Sequence, residues 1–235
     1  MPRMFRLFAL TLLAATLAGC SHTSLWYRNE GRDARTRGDY AAAEAAYKRA
    51  VEINPSNYEN FYWLGYCQLE NGEYQDAQLT LERAWTLAPN EGVWTPKILE
   101  ALAIALYKQP DKRQQLFTFL ERQADATPTT PQFLRQARYL AMAGDADNAN
   151  VAYIKAMQFA GDSSPQPFIE AARFYVARRD NDSALTALQY ANYVDPGNAE
   201  VYALFRQIGV VPGPSQQVPP PDPGKYPAPR PYNGN

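Results

Sequence analysis

Histidine occurs once and cysteine twice in this chain of 235 residues, and both scarcities remove whole classes of chemistry. The one histidine, His22, has no accompanying motif, so a histidine general base or a His/Cys metal site has nothing to be built from. The two cysteines, Cys20 and Cys67, are not spaced as a metal pair, and if Cys20 is modified, Cys67 has no partner for an internal disulfide. The patterns G-x-S-x-G, G-x-x-x-x-G-K and H-E-x-x-H are missing as well. An excess of one charge is also lacking: 23 basic residues face 24 acidic ones, too weak a bias to suggest nucleic acid or an acidic tail. The longest apolar run, Leu7 to Ala18, falls short of the ~20 residues that a membrane-crossing helix needs. These shortages point to a protein that is not an enzyme and uses no metal or soluble cofactor.

What is present is repetition. From Tyr58 to Pro89 two amphipathic helical segments are broken at Asn71-Gly72, where glycine turns the chain without a Cβ penalty. Counting Tyr58 as position 1, Leu64, Gly65, Ala77, Leu81, Ala84 and Pro89 fall at offsets 7, 8, 20, 24, 27 and 32. Small residues at 8, 20 and 27 let two helices approach, larger ones at 7 and 24 fill the gap, and proline stops the second helix. Ser56 and Glu59 read as a capping box at the entrance. These are the signature offsets of the tetratricopeptide repeat (TPR), which the stretch closely resembles. The resemblance implies an all-α fold, a right-handed superhelical solenoid of helix pairs.

The same register extends both ways. From Ser24, Tyr27, Gly31, Ala34, Gly38, Ala43, Tyr47, Ala50 and Pro55 fall on the pattern, with Glu30 in place of the large apolar residue at 7. A fourth repeat from Thr130 carries Phe133, Ala137, Leu140, Gly144, Ala149, Tyr153 and Ala156, and a fifth from Pro165 carries Ala172, Ala184, Leu188, Ala191 and Pro196. Between them, Trp94–Tyr107 and Lys112–Ala124 read as a degenerate third pair, with Ile104 and Leu116 where small residues belong. That pair either bends the superhelix or makes room for a partner. Residues 199–208, entered through Asn198 as N-cap, read as the extra helix that covers the last repeat. The solenoid is thus expected over 24–208.

Residues 1–19 read as an export signal: Arg3 and Arg6, an apolar run, then small residues. Leu17-Ala18-Gly19-Cys20 resembles the lipobox of bacterial lipoproteins. That resemblance implies diacylglycerol on the Cys20 thiol, an acyl group on its new amine, and residues 20–23 as the lipidated N-terminus. Ser21, where the family's inner-membrane signal is aspartate, implies the outer membrane, facing the periplasm. A plain signal peptide cut near Ala18 is the alternative. At the other end, residues 209–235 hold 9 of the chain's 19 prolines and read as a disordered, partly polyproline-II tail, a solvated spacer or a set of docking sequences.

In the TPR family the first helix of each repeat lines the concave groove. Carried over, the groove residues here are Arg28, Arg32, Tyr62, Tyr66, Arg138 and Arg173. Arg35 and Leu69 are among the further positions. Such a surface suits an extended peptide or helix with apolar anchors and acidic groups. The competing reading pairs these arginines with acids such as Glu70 and Glu170. The resemblance implies a protein partner in the groove, a bilayer at the anchor, no nucleic acid and no small-molecule substrate. Lipid-anchored repeat proteins of this layout resemble pilus and secretion assembly factors. The alternative is a cell-wall protein binding peptidoglycan or its remodelling enzymes. Cys67, at offset 10, is expected to be a buried, inert thiol.

Overall fold

The computed structural model describes residues 23–88 and 92–220. The regular structure among them is helical: α1 (residues 23–36), α2 (Tyr40–Ile53), α3 (Tyr58–Glu70), α4 (Tyr74–Leu87), α5 (Trp94–Tyr107), α6 (Arg113–Ala126), α7 (Thr130–Met142), α8 (Ala146–Ala160), α9 (Gln166–Ala177), α10 (Asn181–Val194) and α11 (Ala199–Gln207). Short 3₁₀ turns stand at Pro110–Lys112 and Pro214–Gln216. The proposed signal and lipidation site at Cys20, Pro89, and the tail from Pro221 lie outside the described residues.

One local device makes four of the helix pairs. Asp39 N donates to Ala34 O at 3.0 Å, Glu73 N to Gln68 O at 2.8 Å, Asp145 N to Leu140 O at 2.9 Å and Asp180 N to Tyr175 O at 3.0 Å. Each closes the same six-residue turn at a helix end. The residue before each donor is left-handed: Gly38 (φ 77°), Gly72 (φ 81°), Gly144 (φ 84°) and Arg179 (φ 61°). In three of the four, the aspartate after the turn also caps the next helix. Asp39, Asp145 and Asp180 accept from the amides of Ala42 (3.0 Å), Asn148 (3.3 Å) and Ser183 (3.1 Å). A left-handed residue followed by aspartate, Gly38-Asp39, Gly144-Asp145 or Arg179-Asp180, therefore ends one helix and starts the next.

The entrance to α3 differs from the expected capping box. The cap is Asn57, whose side-chain oxygen accepts from Glu59 N at 2.9 Å and Asn60 N at 3.2 Å. Ser56 stands one residue outside the helix, and its hydroxyl donates to Asn54 Oδ1 instead. With α3 beginning at Tyr58, only Asn57 is at capping distance from the free amides.

The chain divides into two compact units between Arg113 and Gln114, inside the degenerate third repeat. In unit 1, α1 to α5, the offset-8 glycines sit against the offset-24 side chains. A Cβ on Gly31 would meet the Tyr47 ring at 2.9 Å, and one on Gly65 would meet Leu81 Cγ at 2.6 Å. Ala43, Ala50, Ala77 and Ala84 are completely buried at offsets 20 and 27, as the spacing predicts. Cys67 is fully buried among Ala34, Ala43, Tyr47 and Leu64, and burial pushes its thiol up to about 12.

In unit 2, α7/α8 and α9/α10 build one core that includes Phe133, Tyr153, Phe168 and Leu188. α11 packs on α9 and α10, closing that core with Val201, Leu204 and Phe205. Asn198 caps α11, accepting from Glu200 N at 3.0 Å and Val201 N at 3.2 Å. Residues 209–220 do not follow the expectation of a disordered tail. Val210 joins the core and its amide donates to Phe205 O. The fully buried Asn192 donates to Gly213 O at 3.1 Å, and Gln189 Nε2 donates to Gln216 Oε1 at 3.1 Å. Proline-rich composition removes backbone donors but not acceptors, so α10 side chains can hold such a segment through its carbonyls.

Candidate functional site

The candidate residues fall into the two units, each with its own cleft. In unit 1, Arg28 Nη1 is 2.8 Å from Glu59 Oε2. It bridges α1 to α3. Arg32 is exposed, with Asp33 3.6 Å away. The guanidinium of Arg35, a further groove position, lies 4.0 Å over the Trp63 ring, a cation–π contact between α1 and α3.

Tyr62 is 8% exposed, with ring centroids 4.9 Å from Trp63 and 5.2 Å from Trp94. It is a wall rather than a protruding anchor, because α5 brings Trp94 against it. Tyr66 is half-buried, and its phenol is pushed up to about 12, by burial first and by the Glu70 carboxylate second. Tyr62, Tyr66, Tyr74, Lys97, Ile104 and Lys108 contribute to a cleft of about 500 Å³, whose lining includes neither Arg28 nor Arg32. The degenerate helix α5 thus supplies one side of this cleft, and Ile104, in place of a small residue, lines it.

In unit 2, Arg138 Nε donates to Glu170 Oε2 at 3.0 Å, bridging α7 to α9, and Arg173 pairs with Glu200, bridging α9 to α11. Together with Arg28 and Glu59, these pairs repeat one arrangement: an arginine on one first helix reaches a glutamate on the next. Both unit 2 arginines line a cleft of about 660 Å³ whose apolar surface comes from Ala141, Met142, Phe174 and Ala177. Tyr153 is buried at this site, its hydroxyl pushed up to about 12 by burial first and then by Glu170. Arg178 lies 5.6 Å over the Phe174 ring. Met142 is 58% exposed. It occupies offset 13, a position that lines the groove in the TPR family, so that offset was the signal that could have found it. Phe174 carried none.

Among the described residues no group of His, Cys, Asp and Glu is placed to hold a metal ion. No helix there is long and apolar enough to cross a membrane.

The tetratricopeptide repeat family model matches residues 34–95. No curated protein sequence matches the chain. Among solved structures, a thermophilic TPR protein from Thermus thermophilus is 21% identical at a TM-score of 0.52, covering 79% of this chain and 98% of its own. A tetratricopeptide repeat protein from Parabacteroides merdae ATCC 43184 is 17% identical at 0.57, covering 80% and 74%. YrrB, a TPR protein with an unusual peptide-binding site, is 17% identical at 0.51, covering 82% and 97%. The fold is therefore that of the tetratricopeptide repeat proteins, all-helical among the described residues.

Proposed function

We propose that the protein is a non-catalytic scaffold, lipid-anchored through Cys20 to the periplasmic face of the outer membrane. There it holds a segment of a membrane or secreted protein during assembly of a pilus, secretion or envelope complex. The observation that carries the binding part is the unit 2 cleft, lined by the apolar Ala141, Met142 and Phe174 together with Arg138 and Arg173. Both arginines are partnered, by Glu170 and Glu200. The Arg173–Glu200 pair is exposed on both sides, and such pairs contribute only ~0–1 kcal/mol, so a partner's carboxylate exchanges for Glu200 at little cost, while the more buried Glu170 stays on Arg138. Apolar anchors of the same segment then pack on Ala141, Met142 and Phe174. YrrB, of the same fold, has a peptide-binding site, which supports a peptide-like ligand. The anchor reading is supported by the Leu17-Ala18-Gly19-Cys20 motif and the residue Ser21. Anchoring would raise the partner's effective concentration near the membrane.

The test is recovery of partners from gently crosslinked envelopes with the lipidated protein and its Met142→Glu variant. Met142 is exposed, so the variant folds, but it puts a carboxylate among the arginines. A partner lost from the variant supports the reading; identical partners with both proteins remove the cleft from the account.

A further inference from the structure

The rotation of α1 is fixed by its buried side. Ser24 is 4% exposed, its hydroxyl donating to Ala50 O at 3.1 Å and accepting from Asn60 Nδ2 at 3.2 Å. Gly31 against Tyr47 and the buried Ala34 continue that stripe. At 3.6 residues per turn, Leu25 and Trp26 then face outward, and they are 48% and 59% exposed. Further along the outward face stand Asn29, Glu30, Arg32 and Asp33, all exposed and polar. The exposed apolar surface of α1 is thus concentrated in its first turn. The Trp26 ring is braced edge-on by Tyr27, with centroids 4.8 Å apart.

That turn lies close in sequence to Cys20. The span from Cys20 to Leu25, fully extended at ~3.3–3.6 Å per residue, reaches at most about 18 Å, and the helix from residue 23 shortens it. We propose that the first turn of α1 rests on the bilayer, with Leu25 and Trp26 seated in its headgroup layer; this relies on the reading of Cys20 as lipidated. Indole suits that layer because an apolar body carries a polar N–H, and tryptophan is enriched there. Arg32 and Asp33, two turns further on, remain in water. The acyl chains and the Leu25–Trp26 pair then make two attachments instead of one, and these orient unit 1 on the surface rather than leaving it on a free tether.

The experiment uses the full lipidated protein in phosphatidylethanolamine/phosphatidylglycerol vesicles, with and without brominated lipid as a contact quencher of tryptophan fluorescence. Trp63, Trp85 and Trp94 are half-buried in the fold, so Trp26 is the tryptophan exposed to lipid. Quenching is expected in the wild type, and most of it should vanish in Trp26→Phe, which keeps an apolar ring. Mass measurement of the same sample reports the lipid on Cys20. Equal quenching, or none, in both proteins while Cys20 carries its lipid overturns the seating of the turn and leaves the anchor standing. An unmodified Cys20 overturns the anchor, and the seating falls with it.

Discussion

A Cβ on Gly65 would stand 2.6 Å from Leu81 Cγ and 3.4 Å from the backbone oxygen of Ala77. Helices α3 and α4 therefore meet at a separation that leaves no room for a side chain at residue 65. Gly65→Ala should destabilise the protein by about 1–3 kcal/mol through overpacking. Leu81→Ala should cost about 2–5 kcal/mol by opening a cavity. The double variant, in which the new methyl enters the space Leu81 vacates, should cost less than the sum. Urea denaturation of the four proteins reads the coupling; strict additivity would place the two residues out of contact.

Arg179 holds the left-handed position that Gly38, Gly72 and Gly144 hold in the corresponding turns. An L-residue pays about 1–2 kcal/mol there, and glycine returns part of any gain as chain entropy. Arg179→Gly should therefore stabilise the protein, by about 0.5–1 kcal/mol on the balance of those two terms. A lower thermal midpoint would show that Arg179 makes compensating contacts.

The entrance to α3 separates two candidates. Asn57→Ala should cost about 1 kcal/mol, the usual value of an N-cap, while Ser56→Ala should be close to neutral. Equal effects in thermal melts would contradict the assignment of the cap to Asn57.

Cys67 gives a pH dependence. Its folded thiol is raised by burial to about 12, above the ordinary thiol range near 8.5. The folded state therefore holds the proton more tightly than the unfolded one. The stability tied to this group is complete below the ordinary thiol range and falls as pH rises toward 12, by up to about 1.4 kcal/mol per pH unit. Cys67→Ala should flatten that decline between about pH 9 and 10, before tyrosines titrate. A thiol reagent at pH 8 should label Cys67 only on unfolding. Rapid labelling of the folded protein would refute its burial.

Most of the helices were legible because TPR packing is written in small residues. Gly65, Ala77 and Ala84 can occupy their offsets for few reasons other than close approach, so each nearly dictates a contact. Gly72 and Gly144 likewise announced their turns. Arg179 hid its turn because the geometry there is imposed by the helices on either side. The order of residues 209–220 was hidden too, since it rests on the amides of Asn192 and Gln189, which resemble ordinary solvent-facing side chains in sequence. At the candidate site the offsets put Arg138 and Arg173 on α7 and α9, and both line the unit 2 cleft. The competing reading, which pairs the arginines with acids such as Glu170, anticipates the Arg138–Glu170 pair, but nothing conveyed that Glu200 answers Arg173 or that α5 packs Trp94 against Tyr62. Such relations join residues about 30 positions apart, and repeat periodicity fixes the helix faces without fixing which side chains reach across.

The central claim, that a partner segment seats between Arg138 and Arg173, is tested most directly by site-specific photocrosslinking in intact envelopes. A photoreactive side chain replaces Met142 in the cleft or, as control, the exposed Tyr193 on α10. The account predicts a discrete adduct from position 142, absent from position 193 and lost when Arg138 and Arg173 are both changed to alanine. Adducts from 193 alone, or an adduct at 142 indifferent to the arginines, would contradict it.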